Sequence, residues 1–452
     1  MSRCSLSGAK RAPKITVTSR RSLLQLGFSG AAAALAAGRS ARGSGPPQGK
    51  NTACIVFFLD GGHSHHETFD PKPDAPKEVR GEFGVTQTSV AGTHISDQLP
   101  RLGKLAEHYS LVRSLHHGNP SHAEAEHQML TGWMGSRPGT ARAVIEKPSL
   151  GSIVSRLAGA RRSALPSYVA VPWSFHHEYG GSPFGAAAYL GPRHEPLESG
   201  HLPKTADQPF ELQEIKLRQG LSPGRLHGRV ELLEQLNANH LASEDVRRIK
   251  DTADEAFDIL LADQVRDAFN LNREPTRVRE RYGNHEWGQA ALLSRRLVEA
   301  GTTFVMLQCG LRQDWDTHQK NFPLLKKKLL PPLDHAVSAL LEDLLATGLY
   351  ERTLVIVMGE FGRTPVINKN AGRDHWAEVF SALVAGGGLK GGQVIGASDR
   401  QGAYPSDRPL HAQDLFATMY HVLGIDPGTL LYDRQSRPIP VLSHGTPIRE
   451  LV

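Results

Sequence analysis

Acidic and imidazole side chains gather in a few short stretches of this chain. One reads Asp60-Gly61-Gly62-His63-Ser64-His65-His66-Glu67-Thr68-Phe69-Asp70, a second Asp314-Trp315-Asp316-Thr317-His318, and a third Gly359-Glu360-Phe361-Gly362-Arg363-Thr364-Pro365, with Asp374-His375-Trp376 soon after. Carboxylates mixed with imidazoles suit Zn, Mn or Fe and, with more oxygen ligands, Mg or Ca. The ligand candidates are Asp60, His65, Asp314, Asp316, His318, Glu360, Asp374 and His375. If residues 314–318 open a helix, Asp314 and His318 share a face; if they are extended, Asp316 and His318 do. Nine of the 22 histidines lie between His63 and His127, which favours a site near the first two crossovers between strands. Each stretch alone has a plainer reading: Asp60 as a helix cap, Glu360 with Arg363 as an ion pair, any single His as a satisfied core or surface residue. Their recurrence just after apolar runs argues for a site.

Those apolar runs are the elements that must position the ligands. Ala53–Leu59, Thr303–Leu307 and Thr353–Met358 read as buried strands, with weaker candidates at Leu111-Val112 and Tyr168–Val171. Apolar residues at three- and four-residue spacing predict helices over Ala123–Leu130, Leu150–Ala158, Arg229–Leu241, Asp245–Phe269, Gln289–Ala300, Phe322–Ala346 and Ala412–Leu423. Alternating strands and helices imply an α/β fold, a parallel or mixed sheet covered on both faces. In such sheets ligands bind beyond the carboxyl ends of the strands, where the acidic stretches fall. Residues 172–225, rich in Gly, Pro and His, read as an irregular insertion.

The chain has 452 residues, 39% hydrophobic and 22% charged, enough for a large core. Its net charge of +6 is local: residues 1–50 hold nine Lys/Arg and no acid, leaving 43 basic residues against 46 acidic ones. A nucleic-acid partner is therefore not expected. Ser19-Arg20-Arg21-Ser22-Leu23-Leu24, an Ala-rich run and the small-x-small Ala34-Leu35-Ala36 predict a twin-arginine export signal over 1–37 and a flexible linker over 38–50, before one domain over 51–452. The Ala-rich run is too short to span a bilayer, and no later stretch approaches the ~20 apolar residues required. The expected location is periplasmic or secreted. With Cys4 in the leader, Cys54 and Cys309 permit at most one disulfide. No dinucleotide fingerprint or phosphate-binding loop is evident.

The segment Leu333–Pro365, the late Asp414–Ile425 stretch and Thr68-Phe69-Asp70-Pro71-Lys72-Pro73, Arg281-Tyr282-Gly283, Trp315-Asp316-Thr317-His318, Gly359–Pro365 and Gly372-Arg373-Asp374-His375-Trp376 resemble the alkaline phosphatase and sulfatase superfamily, and within it the sulfatase-like family numbered 1501 among domains of unknown function. The resemblance spans nearly all of 51–450. It implies an alkaline-phosphatase-like three-layer sandwich, a mostly parallel central sheet with helices on both faces. It further implies a divalent metal (Zn, Ca, Mg or Mn) and a small-molecule or carbohydrate ester as substrate. Asp60 matches the superfamily's first ligating Asp; Asp314 or Asp316 with His318 matches a second Asp and His; Glu360 and His375 match later ligands. The sequence departs from the pattern twice. Phe361 replaces the His of an Asp-His pair, and counting back from Leu130-Thr131-Gly132 puts His122, with Ser121 adjacent, at the nucleophile position.

The expected activity is metal-dependent hydrolysis of sulfate or phosphate esters. Ser121 at a helix N-terminus would attack, or water would with His122 or His127 as base, while Arg363 clamps the ester oxygens. The alternative is a secreted metal- or ligand-binding protein that keeps the scaffold without turnover.

Overall fold

The computed structural model describes residues 51–134, 147–174, 186–212, 256–310 and 313–452, with single positions between 213 and 255. The expected leader and linker lie outside the described residues, as do the 229–241 helix apart from Leu232 and the first part of the 245–269 helix apart from Asp254.

Among the described residues, nine strands form the main sheet. They are β1 (Ala53–Leu59), β2 (Tyr109–His116), β3 (Tyr168–Val171), β4 (Leu197–Glu198), β5 (Phe304–Cys309), β6 (Thr353–Met358), β7 (Phe380–Gly386), β8 (Val394–Ile395) and β9 (Leu410–His411). Across the sheet the order is β8-β2-β7-β6-β1-β5-β3-β4, with β9 also along β2. β7 runs antiparallel to β2 and β6. The other pairs are parallel. As a result β1, β2, β5 and β6 all end on one edge of the sheet, and β7 begins there.

β1 is apolar at every position and wholly buried, as a strand covered on both faces must be. Its side chains alternate between two cores. Ile55, Phe57 and Leu59 pack with Leu292 and Leu293 of helix Glu286–Ala300 and with Val337 and Leu340 of helix Leu330–Ala346. Cys54, Val56 and Phe58 face Leu150 and Val154 of helix Leu150–Leu157 and Leu415, Phe416 and Met419 of helix Ala412–Val422. The result is three layers, helix on sheet on helix, with the mostly parallel sheet expected. Cys54 and Cys309 are buried free thiols.

The predicted helix over Phe322–Ala346 is divided. A turn at Asn321–Leu324 runs into a π-helical turn at Leu325–Leu329 before the helix from Leu330. Pro331 and Pro332 lack the N–H groups that would have bonded the carbonyls of Lys327 and Lys328 in a continuous ladder. The described part of the irregular 172–225 stretch adds the short edge strand β4. No helix among the described residues is long and apolar enough to cross a membrane.

Candidate metal centre

Segments leaving the carboxyl edge of the sheet meet in one place. Asp60 follows β1 into a turn where Gly61 has φ 109°. A Cβ on Gly61 would lie 2.6 Å from the Asp316 nitrogen, so only glycine lets this turn lie against the loop after β5. Helix His122–Thr131 delivers His122 in its first turn and Glu126 one turn later on the same face. Glu360 follows β6, and a two-stranded ribbon, Gly362–Arg363 against His375–Trp376, sets His375 opposite Arg363 before the chain enters β7.

The buried half of the site holds three carboxylates and one imidazole. Asp60, Glu126 and Glu360 are almost fully buried. His122 Nδ1 lies 2.8 Å from Glu360 Oε1, and its Nε2 lies 3.4 Å from Asp316 Oδ2. Gln308 Nε2 and the Gln313 N–H each donate to Asp60 Oδ2 at 3.1 Å, while Gln313 Nε2 donates to Glu126 Oε1 at 3.2 Å. Burial, then the Glu360 charge, pushes Asp60 up to about 7. Burial followed by the Glu360 and Asp60 charges carries Glu126 well above the usual carboxylate range. Burial would lower His122, but hydrogen bonds to Asp316 and Glu360 lift it to about 10.

The more open half is built from Asp316, His318, Asp374 and His375. His318 Nε2 and His375 Nε2 are 3.0 Å apart, and each is 3.0 Å from Asp316 Oδ1. His375 Nδ1 lies 2.7 Å from the Pro120 carbonyl oxygen, and His318 Nδ1 lies 2.6 Å from Asp374 Oδ1. Burial would raise Asp316, but hydrogen bonds from His122 and His375 and the Arg363 charge hold it below the ordinary carboxylate range. The His318 hydrogen bond lowers Asp374. Phe361 floors the site, its ring centroid 5.0 Å from that of His122 and 4.6 Å from that of His375.

These residues fit a divalent cation. The Pro120 carbonyl can only accept, so the His375 proton sits on Nδ1 and leaves the Nε2 lone pair facing Asp316 Oδ1, also an acceptor. A proton or a cation must lie between them. His122, Asp316 and His375, and separately His122, Glu126 and Glu360, place ligand atoms within 4.8 Å of one another. Burial and mutual repulsion push Asp60 and Glu126 toward their neutral forms, and a cation among them would favour the ionised carboxylates instead. The anchored outer nitrogens of His318 and His375 are the usual outer-shell arrangement for ligating imidazoles.

Six sequence-stretch candidates thus meet: Asp60, Asp316, His318, Glu360, Asp374 and His375, joined by His122. Four others lie differently. Asp314 is exposed, and Asp316 is the carboxylate that shares the cluster with His318. His65 is turned to the Gly402 carbonyl at 2.9 Å, its ring tilted against His66, because the Gly61-Gly62 turn folds this stretch back into the protein. His127 Nδ1 contacts the Trp133 carbonyl at 3.0 Å. Ser121 is the exposed cap residue of its helix and makes no side-chain cap bond, while the adjacent His122 faces the acids.

Arg363, expected as a clamp on ester oxygens, is 0% exposed and already committed. Its Nε donates to the Gly62 carbonyl at 2.9 Å, its Nη2 to the Gly61 carbonyl, and its Nη1 pairs with Asp316 at 2.5 Å. It positions the loop and Asp316. Sequence reasoning missed Glu126, whose signal was its place four residues after His122, and missed Gln308 and Gln313, which carry no signal of their own.

A family model described as "Protein of unknown function (DUF1501)" matches residues 51–452. No curated protein matches. Among solved structures, the chain is similar to a sulfatase from Pseudoalteromonas sp., at 12% identity over 84% of this chain and 68% of that one with a TM-score of 0.38. It is also similar to the phosphonate monoester hydrolase of Agrobacterium radiobacter, at 11% identity over 88% and 77% with a TM-score of 0.40. The lipoteichoic acid synthase LtaP from Listeria monocytogenes aligns at 13% identity over 86% and 76% with a TM-score of 0.35. At these values the likeness says nothing about activity.

Proposed function

We propose that this chain, which belongs to the DUF1501 family, is an exported, metal-dependent hydrolase of sulfate or phosphate esters. One observation carries the reading: His375 Nε2 and Asp316 Oδ1 face each other at 3.0 Å beside His122, in a setting with three buried carboxylates. A divalent ion held by His122, Asp316 and His375 would polarise an ester oxygen and acidify the attacking group. Asp374 fixes the His318 ring with its Nε2 3.0 Å from Asp316 Oδ1, so that His318 could complete the ligand set. Arg363 and the Pro120 carbonyl hold Asp316 and His375 in register. Because Ser121 lies outside the cluster, the attacking group in this reading is water.

The same placement of Ser121 favours a second reading, a protein that binds a metal without turnover. Purified mature protein should contain a divalent metal and cleave an aryl sulfate or phosphate ester in a chelator-sensitive way, with His375→Ala losing both properties. Metal without turnover on any ester leaves the binder; no metal and no chelator effect ends the hydrolase proposal. Export rests on Arg20-Arg21 and the Ala-rich run that follows.

A further inference from the structure

The opposite edge of the sheet, where the strands begin, holds a second concentration of charge. A cavity of about 170 Å³ has Asn51, Arg161, Arg162, Glu299, Gly301 and Arg352 in its lining. It lies beside the starts of β1, β5 and β6, and shares no residue with the acidic cluster.

Arg161 has an ordinary structural task. Its Nη2 donates to the Thr302 carbonyl at 2.9 Å and to the Val298 carbonyl, satisfying acceptors at the end of helix Glu286–Ala300. Its Nη1 reaches the Asn51 carbonyl at 3.5 Å, which leaves only Nε, buried and without a hydrogen-bond partner, and the two further arginines brought to the same cavity unexplained by that task. The Arg161 N–H donates to the Gly301 carbonyl at 2.9 Å, and a Cβ on Gly301 would lie 2.9 Å from Arg162 Cβ, so both residues start from a backbone held against Gly301, while the Arg162 and Arg352 side chains are exposed. Burial, then the Arg352 and Arg162 charges, lowers Arg161 to about 10. The one acid lining the cavity, Glu299, is engaged by Arg295 Nη1 at 2.5 Å. The helix C-terminus contributes partial negative charge and opposes an anion, so the attraction must come from the guanidiniums.

We propose that this cavity binds a small tetrahedral oxyanion, sulfate or phosphate, among Arg161, Arg162 and Arg352. Three arginines around one hollow concentrate positive charge that an anion among them would neutralise, and the planar fork of arginine suits the oxygens of such an ion. The volume is below the ~300 Å³ at which drug-sized ligand pockets begin, which points to a single small ion. Binding here does not depend on the proposed hydrolase activity, since the two sites occupy opposite edges.

The test is calorimetric titration of the whole mature chain with sodium sulfate and, separately, sodium phosphate, against sodium chloride at equal ionic strength. Saturable binding outside the acidic cluster is expected: with the proposed metal centre disabled by His375→Ala, one ion per chain should still bind, and adding Arg162→Ala/Arg352→Ala should weaken that binding at least tenfold. The single variant Arg352→Gln, on an exposed side chain, should weaken it several-fold and serves if the double variant misfolds. The relative affinities for the two anions show which is the better occupant. Equal affinity in the arginine variants, loss only in His375→Ala, or no saturable binding of either anion would overturn the proposal.

Discussion

His122 joins the two halves of the acidic cluster, and its protonation couples to whatever ion occupies them. Held near Glu360 and Asp316 with its pKa lifted to about 10, it is an imidazolium at neutral pH when the cluster holds no cation. A metal ligand must be neutral imidazole, so zinc binding at pH 8 should release about one proton from His122. Calorimetry in buffers of different ionisation enthalpy should show this release, with the proton missing in His122→Asn. Asp60 predicts a different pH effect. Its folded pKa of about 7 lies above the unfolded value, so its contribution to stability is full below about pH 4 and is lost as pH rises through 7. In metal-free protein, denaturant unfolding should show Asp60→Asn flattening the fall in stability between pH 5 and pH 8; an unchanged slope would place the titration elsewhere. Asp374→Asn removes the carboxylate that orients His318, which should cost about 10- to 100-fold in activity or metal affinity. These acids and histidines were legible because they follow apolar runs. Glu126 was not, since a carboxylate in a helix looks like part of a solvated face until the fold buries it.

At the level of elements, the strands of the sheet centre were the most legible: β1, β5 and β6 are short runs, apolar but for Gln308 and Thr353, with a carboxylate-bearing loop after each. β7 was not read as a strand, because Phe380–Gly386 mixes small residues with apolar ones and gains its partners only by reversing against β6 and β2. The π turn at Leu325–Leu329 is likewise invisible to apolar spacing, which continues through it. Helix Leu330–Ala346 also has a polar tie that spacing does not show. Asp334 accepts from the Arg101 N–H at 3.0 Å and the Leu102 N–H at 2.8 Å, supplying acceptors at the first turn of Pro100–Gly103. Asp334→Ala should cost about 1–3 kcal/mol by leaving these donors short of partners. Denaturant midpoints would measure that loss, and metal content should stay unchanged because Asp334 touches no member of the cluster.

For the whole molecule, the uneven charge along the chain gives the export prediction. Replacing Arg20 and Arg21 with Lys keeps the charge and removes the paired guanidiniums, so the protein should accumulate in the cytoplasm. Secreted wild-type protein should begin near Ala37 to Arg39, as N-terminal sequencing can show. Secreted material still beginning at Met1 would remove the signal from the account. The place of β1 also bears on how the molecule comes into being. Ile55 pairs with Val305 on one side and Val355 on the other, partners about 250 and 300 residues away. The first strand among the described residues is therefore completed only once its distant partners have been made, and such pairings fold slowly. Until the last third of the chain has emerged, Ala53–Leu59 is a fully apolar segment without its neighbours, and a ribosome-bound fragment lacking β6 is an aggregation hazard with no acidic cluster to hold an ion.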